Sequence, residues 1–283
     1  MGRQNKNEPQ KKKRNINMKT LKLELIEHDK KIGKRCDFVP PTVTESCVLE
    51  YNEKIIGFYL TDLPDKLKQY ITIANKEFLS KNVPKSLLER SDVYQMQKKY
   101  GISRAEAKAR NTVQMSTILG GVLAKAHLRR PYNSVSAVHT NTKAKTFIKA
   151  MLLACQESEK LIEKYMPEQY ASQKKLIEET TLPKYRFGKL FTSSISNYNI
   201  AAPFHQDRGN LKNTVNVILT KRKDTEGGAL CVPDFNHTFE QADNSILVYP
   251  AWYNIHGVTK IIQHNENAYR NSLIFYPLKG FDK

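Results

Sequence analysis

The chain changes its hydrophobic period along its length, and that change predicts an α+β fold. Three observations carry the expectation. Residues 214–220, 245–250 and 269–276 are short runs rich in β-branched and aromatic side chains, as strands are. Residues 146–164 instead repeat apolar side chains at helical spacing: Phe147, Ala150, Met151, Ala154, Leu161 and Ile162 fall on one side, with Lys149, Glu157, Glu159 and Lys160 on the other. At 283 residues, 40% of them hydrophobic, the chain has enough apolar surface for a real core.

Taken in order, residues 1–40 are expected as a basic, flexible tail. It carries the run Lys11-Lys12-Lys13-Arg14 and then Lys30, Lys31, Lys34 and Arg35. Alternating apolar positions at 19–27 allow an edge strand within it. Residues 41–183 are expected to be mainly helical, packing on the core and presenting a basic surface. A strand at 55–60 precedes a helix that starts near Pro64 and places Leu67, Tyr70, Ile71 and Phe78 at helical spacing. Residues 91–126 read as two helices broken at Tyr100-Gly101-Ile102. Ser103 and Glu106 form a capping box for the second, and Lys98, Lys99, Arg104, Lys108 and Arg110 lend the pair a basic face. A DNA-reading helix-turn-helix is disfavoured, because Gln97 stands where that motif wants a small residue. Arg129, Arg130 and Tyr132 then combine cations with an aromatic in a loop, a pattern able to grip a phosphate backbone. After helices at 146–164 and 168–180, Leu182-Pro183 stops the second. Strands at 186–199 open a strand-rich core spanning 184–283, and 41–283 is expected to form one globular unit. Asn197 and Asn199 are pocket-lining candidates, or turn formers.

The chemistry gathers in the core. His205 and Asp207 stand at i and i+2, so on a strand both point to one face. His256 offers a second imidazole, and two histidines with one carboxylate make the ligand set that leaves an octahedral iron with open positions. Arg270 sits in an apolar strand, where a cation needs an anionic partner; the dicarboxylate 2-oxoglutarate would supply one. Between them, Glu226-Gly227-Gly228 marks a turn. Tyr249, Trp252 and Tyr253 precede His256 and are packing residues by default, with stacking on a base as the sharper alternative. His139, His237 and His264 lack partners at ligand spacing and read as surface or structural.

The order His-x-Asp, Gly-Gly, His-Gly-Val, Arg-x-Ser-Leu-x-Phe-Tyr resembles the double-stranded β-helix core of Fe(II)/2-oxoglutarate dioxygenases. More narrowly, it is similar to the TET/JBP family, which oxidises the 5-methyl group of pyrimidines in nucleic acid. The likeness runs from about Tyr185 to Leu278 and fades before that. His205-Gln206-Asp207-Arg208-Gly209-Asn210 matches that family's His-x-Asp-x-x-Asn, and residues 270–276 match its final strand. The resemblance implies His205, Asp207 and His256 as Fe(II) ligands, with 2-oxoglutarate and O2 as co-substrates. It implies Arg270 on the distal carboxylate of 2-oxoglutarate with Ser272 beside it, Asn210 on a flipped base, and Tyr276 packed near that base. There is one departure: Leu278 stands where the methylcytosine enzymes place a histidine. The implied activity is oxidation of 5-methylcytosine to 5-hydroxymethylcytosine in double-stranded DNA, with further oxidation open. Thymine is the alternative substrate, and a hydroxylase of protein, amino acid or RNA is a second class. A nucleic-acid-binding protein with a structural metal is a third.

Composition narrows the partners. Lys and Arg total 46 against 28 Asp and Glu, a net charge of +18, so an anionic polymer or surface is the expected partner. No apolar stretch approaches a membrane span, and Cys36, Cys47, Cys155 and Cys231 show no paired metal-site spacing. An intracellular, soluble monomer is expected, held in nucleoid or nucleus according to its source.

Overall fold

The computed structural model describes residues 18–87, 97–98, 100–109, 113–125, 127 and 130–282. The basic run at 11–14, most of the first helix expected from residue 91, and Lys99, Arg110 and Arg129 lie outside the described residues. The chain opens with β1 (Lys19–Lys22), β2 (Cys47–Tyr51), β3 (Lys54–Leu60), helix α1 (Asp65–Leu79) and β4 (Ser86–Leu87). Next come α2 (Arg104–Ala109), β5 (Met115–Val122), β6 (Ser134–Val135), α3 (Lys145–Tyr165) and α4 (Pro167–Thr180). Strands then follow one another: β7 (Ser193–Tyr198), β8 (Ala202–His205), β9 (Asn216–Lys223), β10 (Thr225–Gly227), β11 (Leu230–Val232) and β12 (His237–Phe239). The last are β13 (Ser245–Tyr249), β14 (His256–Val258), β15 (Ile261–Gln263) and β16 (Tyr269–Tyr276).

The strands sort into a large sheet, ordered β1-β2-β3-β13-β9-β16-β7-β5-β4 with β6 beside β5, a small sheet ordered β12-β11-β14-β8, and a two-stranded ribbon of β10 and β15. Period-two alternation gives the middle of the large sheet two apolar faces. Val217, Leu219, Ile246, Val248, Leu273 and Phe275 face α1 and α3, meeting Leu67, Ile71, Phe78, Phe147, Met151 and Ile162. The alternate residues Ile218, Leu247 and Tyr249 meet Leu230, Val232 and Phe239 of the small sheet. Each such side chain, fully buried, contributes roughly 1.5–3 kcal/mol. Helices therefore brace one face of the large sheet while the small sheet closes the other. This is the α+β, double-stranded β-helix arrangement that the sequence led us to expect.

Polar pins fix the helices on the sheet. Asn271 donates Nδ2 to Asn75 Oδ1 (3.1 Å) and accepts from Ser196 Oγ (2.9 Å), tying α1 to β16 and β7. Glu159 of α3 is buried, and its Oε1 accepts from the backbone N–H of Lys189 (2.5 Å) and Leu190 (2.9 Å), which holds the turn leading to β7. Burial pushes its carboxyl above the usual range, with those two N–H groups pulling the other way.

Two segments differ from expectation. The capping box forms: Ser103 N donates to Glu106 Oε2 (3.2 Å), and Glu106 N donates to Ser103 Oγ (3.1 Å). The helix it starts ends at Ala109, however, and Met115–Val122 is a strand paired with β7 from Met115↔Tyr198 to Gly120↔Ser193. Thr117, Ile118 and the Gly120-Gly121 pair are poor helix residues, and the edge of β7 takes them as a strand although the capping box starts a helix just upstream. The second difference concerns the tail: from Lys19 onward it is bonded into the fold. β1 pairs with β2, Ile26 N donates to Asp234 O (2.9 Å), and Gly33 N and Lys34 O bond the backbone of Phe204 at 2.7 and 2.9 Å. Exposed Lys30, Lys31, Lys34 and Arg35 are thereby carried alongside β8. No helix among the described residues is long and apolar enough to cross a membrane.

Candidate metal and anion site

β8 and β14 pair antiparallel with His205 directly opposite His256, and Asp207 follows β8 with its N–H on Ala251 O (3.1 Å). One donor atom from each of the three lies within 4.8 Å of the others, and no other group of this kind occurs among the described residues. Asp207 Oδ1 is 3.6 Å from His205 Nε2 and 3.9 Å from His256 Nε2. Both imidazoles are oriented from behind. His205 Nδ1 lies 2.7 Å from Pro203 O and His256 Nδ1 lies 3.0 Å from Asn254 O. A carbonyl only accepts, so each Nδ1 carries a hydrogen, and in a neutral ring that leaves Nε2 as the lone-pair donor. The His256 pKa is lowered to about 4, chiefly by burial and then by His205, with Asp207 opposing. The ring is thus neutral, as a metal ligand must be. Tyr249 meets it edge-on at 5.5 Å. Donor chemistry and tautomers both fit a divalent metal taking nitrogen and oxygen ligands.

Arg270 is 2% exposed in β16. Asn199, at φ +56°, clasps its backbone: Asn199 Oδ1 accepts from Arg270 N (2.8 Å) and Asn199 N donates to Arg270 O (2.7 Å). Asn199 is therefore the turn former, whereas Asn197 lies opposite Ser272. The Arg270 guanidinium makes no hydrogen bond or ion pair with any described residue, and its Nε is fully buried without a partner. Burial and then neighbouring Arg222 lower its pKa to about 9. Arg222, directly across the ladder, gives its own donors to Thr225, Gly227 and Gln241. Gly228 makes room for the stem of Arg270: at φ +68° it lies so close that a Cβ would stand 2.4 Å from Arg270 Cδ. Ser272, two places on, shares the face of Arg270, with Oγ 3.5 Å from Asn197 O. A buried, unpaired cation costs several kcal/mol, so this pocket is built for an anion.

The remaining expected residues converge on Asp207. Asn210 is 4% exposed, donates its N–H to Asp207 O (2.9 Å) and bridges to Leu278. Its Nδ2 donates to Asn216 Oδ1 (2.8 Å), and Asn216 Nδ2 donates to Asp207 Oδ2 (2.8 Å). Tyr276 ends β16; burial and then the Asp207 carboxylate push its phenol up. Backbone bonds from Leu211 N to Pro277 O (2.8 Å) and from Lys279 N to Gly209 O (3.0 Å) clip the loop after Asp207 to the strand end.

The family model for the oxygenase domain of the 2OGFeDO superfamily, Tet_JBP, matches residues 123–279, more than half of the chain. The protein belongs to the Tet_JBP family. It is a 2-oxoglutarate, Fe(II) oxygenase, and membership implies Fe(II), 2-oxoglutarate and O2. A search among curated proteins finds no match. Among solved structures, one described as NgTET1 in complex with 5mC DNA superposes with a TM-score of 0.53 at 15% identity, covering 84% of this chain and 78% of that one. A Burkholderia pseudomallei oxidoreductase of the 2OG-Fe(II) oxygenase family gives 0.43 at 9% identity, covering 79% and 86%. At 15% identity, the first of these likenesses speaks to fold alone.

Several residues of this oxygenase escaped the sequence reading. Asn216 stands in an otherwise apolar strand, where an amide demands a partner. Asp234 braces the loop before His256: it accepts from Asn254 Nδ2 (3.0 Å) and Ile255 N (3.0 Å) and bonds His28 Nε2 (2.7 Å). No local signal linked it to the site. Of the aromatic trio, Tyr249 is buried and Tyr253 is 47% exposed, its carbonyl accepting from Gln206 Nε2 (2.7 Å). His139 packs edge-on against Phe187, and burial lowers its pKa, in keeping with a structural role.

Proposed function

We propose that this oxygenase hydroxylates the 5-methyl group of a pyrimidine flipped out of double-stranded DNA, 5-methylcytosine in preference to thymine. His205, Asp207 and His256 would hold Fe(II), with the two Nε2 atoms and Oδ1 as the donors that face one another. Bound there, the iron supplies activation of O2 coupled to decarboxylation of 2-oxoglutarate to succinate. Arg270 pairs with the distal carboxylate of 2-oxoglutarate and Ser272 adds a hydroxyl donor beside it. The walls of the two sheets exclude water, so both charges meet in a medium where their attraction is strong.

The observation that carries the base assignment is the orientation of Asn210. Its Nδ2 is committed to Asn216, which leaves Oδ1 as a fixed acceptor with no hydrogen bond among the described residues. An acceptor suits the exocyclic amine of cytosine and is a poor match for the 4-carbonyl of thymine. Tyr276 packs against the same base. Because the methyl group lies inside the duplex stack, the nucleotide must be extruded to reach the metal. The basic N-terminal half holds the flanking phosphates. Support also comes from the superposition on NgTET1 with 5mC DNA. Leu278, bridged to Asn210, adds no polar group to the pocket, so thymine is the competing substrate.

The test is reconstitution with Fe(II) without oxygen, then addition of O2, 2-oxoglutarate and duplexes with or without 5-methylcytosine, with nucleosides resolved by mass spectrometry. Hydroxymethylcytosine is the expected product. Hydroxymethyluracil would assign the enzyme to thymine. Succinate without any altered base would place the substrate outside DNA.

A further inference from the structure

The side chains behind Asp207 form a hydrogen-bonded chain that can run in only one direction. A carboxylate only accepts, so Asn216 must present Nδ2 to Asp207 Oδ2 (2.8 Å). That turns Asn216 Oδ1 toward Asn210, which in turn must donate its Nδ2 (2.8 Å). Both asparagines are buried, at 4% and 3% exposure for Asn210 and Asn216. Asn216 sits in β9 between Val215 and Val217, directly opposite Tyr249, whose ring meets His256. An amide in such a strand is unfavourable unless both its ends are satisfied, and here both are.

We propose that Asn216 is a positioning residue that fixes Asp207 as a one-oxygen metal ligand and couples Asn210 to the metal. Tying Oδ2 from behind leaves Oδ1 facing the two imidazoles and stops the carboxylate from turning to offer both oxygens. The metal half of this proposal rests on geometry alone; the coupling half rests on the base-reading role given to Asn210 above. When a donor binds Asn210 Oδ1, both amides are held in place and Asp207 is held with Oδ1 toward the imidazoles, so the ordering that metal binding needs is already made. Base binding and metal binding then strengthen one another to the same degree, since coupling of two sites is reciprocal.

The experiment titrates Mn(II), a stand-in that needs no turnover, into the parent protein and into Asn216→Leu and Asn210→Ala, with and without a 5-methylcytosine duplex. Asn216→Leu is expected to bind Mn(II) about 10–100-fold more weakly. Its infrared carboxylate bands should also move from the one-oxygen to the two-oxygen pattern, which general loosening of the fold would not produce. Asn210→Ala leaves the Asn216–Asp207 bond in place, so its affinity should stay within about threefold of the parent while losing the gain on adding duplex, at least about fivefold in the parent. Parent-like Mn(II) affinity in Asn216→Leu would overturn the positioning role. A weakened Asn216→Leu beside a parent that ignores the duplex supports the positioning and overturns the coupling, while the base reading stands or falls on the nucleosides formed. Should Asn216→Leu not fold, the side-chain amide protons of Asn216 in the parent decide: slow exchange with water supports the chain, and free exchange overturns it.

Discussion

Arg270 is the residue at which stability and function pull in opposite directions. Its guanidinium is buried without a partner, which favours the unfolded chain until an anion arrives. Arg270→Leu should therefore leave the fold at least as stable as the parent, by about 1–4 kcal/mol, when no 2-oxoglutarate is present. Thermal unfolding checks this: addition of 2-oxoglutarate with Mn(II) should raise the parent's Tm and leave that of Arg270→Leu unmoved. A destabilised Arg270→Leu would mean that the cation is already paired. Asp207→Ala should abolish metal binding and turnover together while nucleic-acid affinity, measured by anisotropy, stays near the parent's. The candidate ligands and Arg270 were legible because their chemistry sits in short motifs on one strand, just past its end, or on a neighbouring strand. Asn216 was not, because its importance lies in a partner reached across the fold, and Asp207 and Asn216 carry no mutual spacing rule.

At the scale of elements, turns and pins decide where the site residues stand. Gly228 holds φ +68° against the Arg270 stem, so Gly228→Ala meets both backbone strain and a 2.4 Å contact. It should cost about 1–3 kcal/mol of stability and weaken 2-oxoglutarate binding, read by calorimetry, with Mn(II) affinity less affected. On α3, Glu159 has a carboxyl pKa raised by burial. A raised carboxyl favours folding most at pH below its unfolded value, and that contribution is lost as pH rises through the folded value. Glu159→Gln keeps an oxygen acceptor for the Lys189 and Leu190 N–H groups without burying a charge. Its stability relative to the parent should rise from acidic toward neutral pH, and a difference that is flat with pH would refute the buried charge. Element by element, the sequence patterns were sound where periodicity and burial agree, as in α3, β9, β13 and β16. They misjudged β5, whose strand identity depends on the partner edge offered by β7. Local propensity cannot see a pairing made across so much intervening chain.

For the whole molecule, net charge is the property that selects a partner before any pocket does. A charge of +18 gives a potential that gathers an anionic polymer at the surface, and exposed Lys30, Lys31, Lys34 and Arg35 bring part of it alongside the strand that bears His205. Binding through phosphates releases counterions, so affinity for a duplex should fall steeply with salt. About six phosphate contacts would lower it by on the order of 10³-fold between 50 and 200 mM. If Arg270 holds 2-oxoglutarate as proposed, turnover of 2-oxoglutarate without DNA should hardly respond over the same range, because a buried pair is screened far less than a surface one. Measuring both in one salt series separates the two layers of the enzyme. A steep slope in binding with flat uncoupled turnover fits a surface that recruits DNA and a pocket that works apart from it. Equal slopes would mean that the anion pocket is open to solvent, and a flat binding curve would show that the excess charge does not hold phosphates. Charge reversal at Lys31 and Lys34 should then lower the slope of the binding curve by about one to two units and spare the metal affinity. No change in slope would move the phosphate track away from β8.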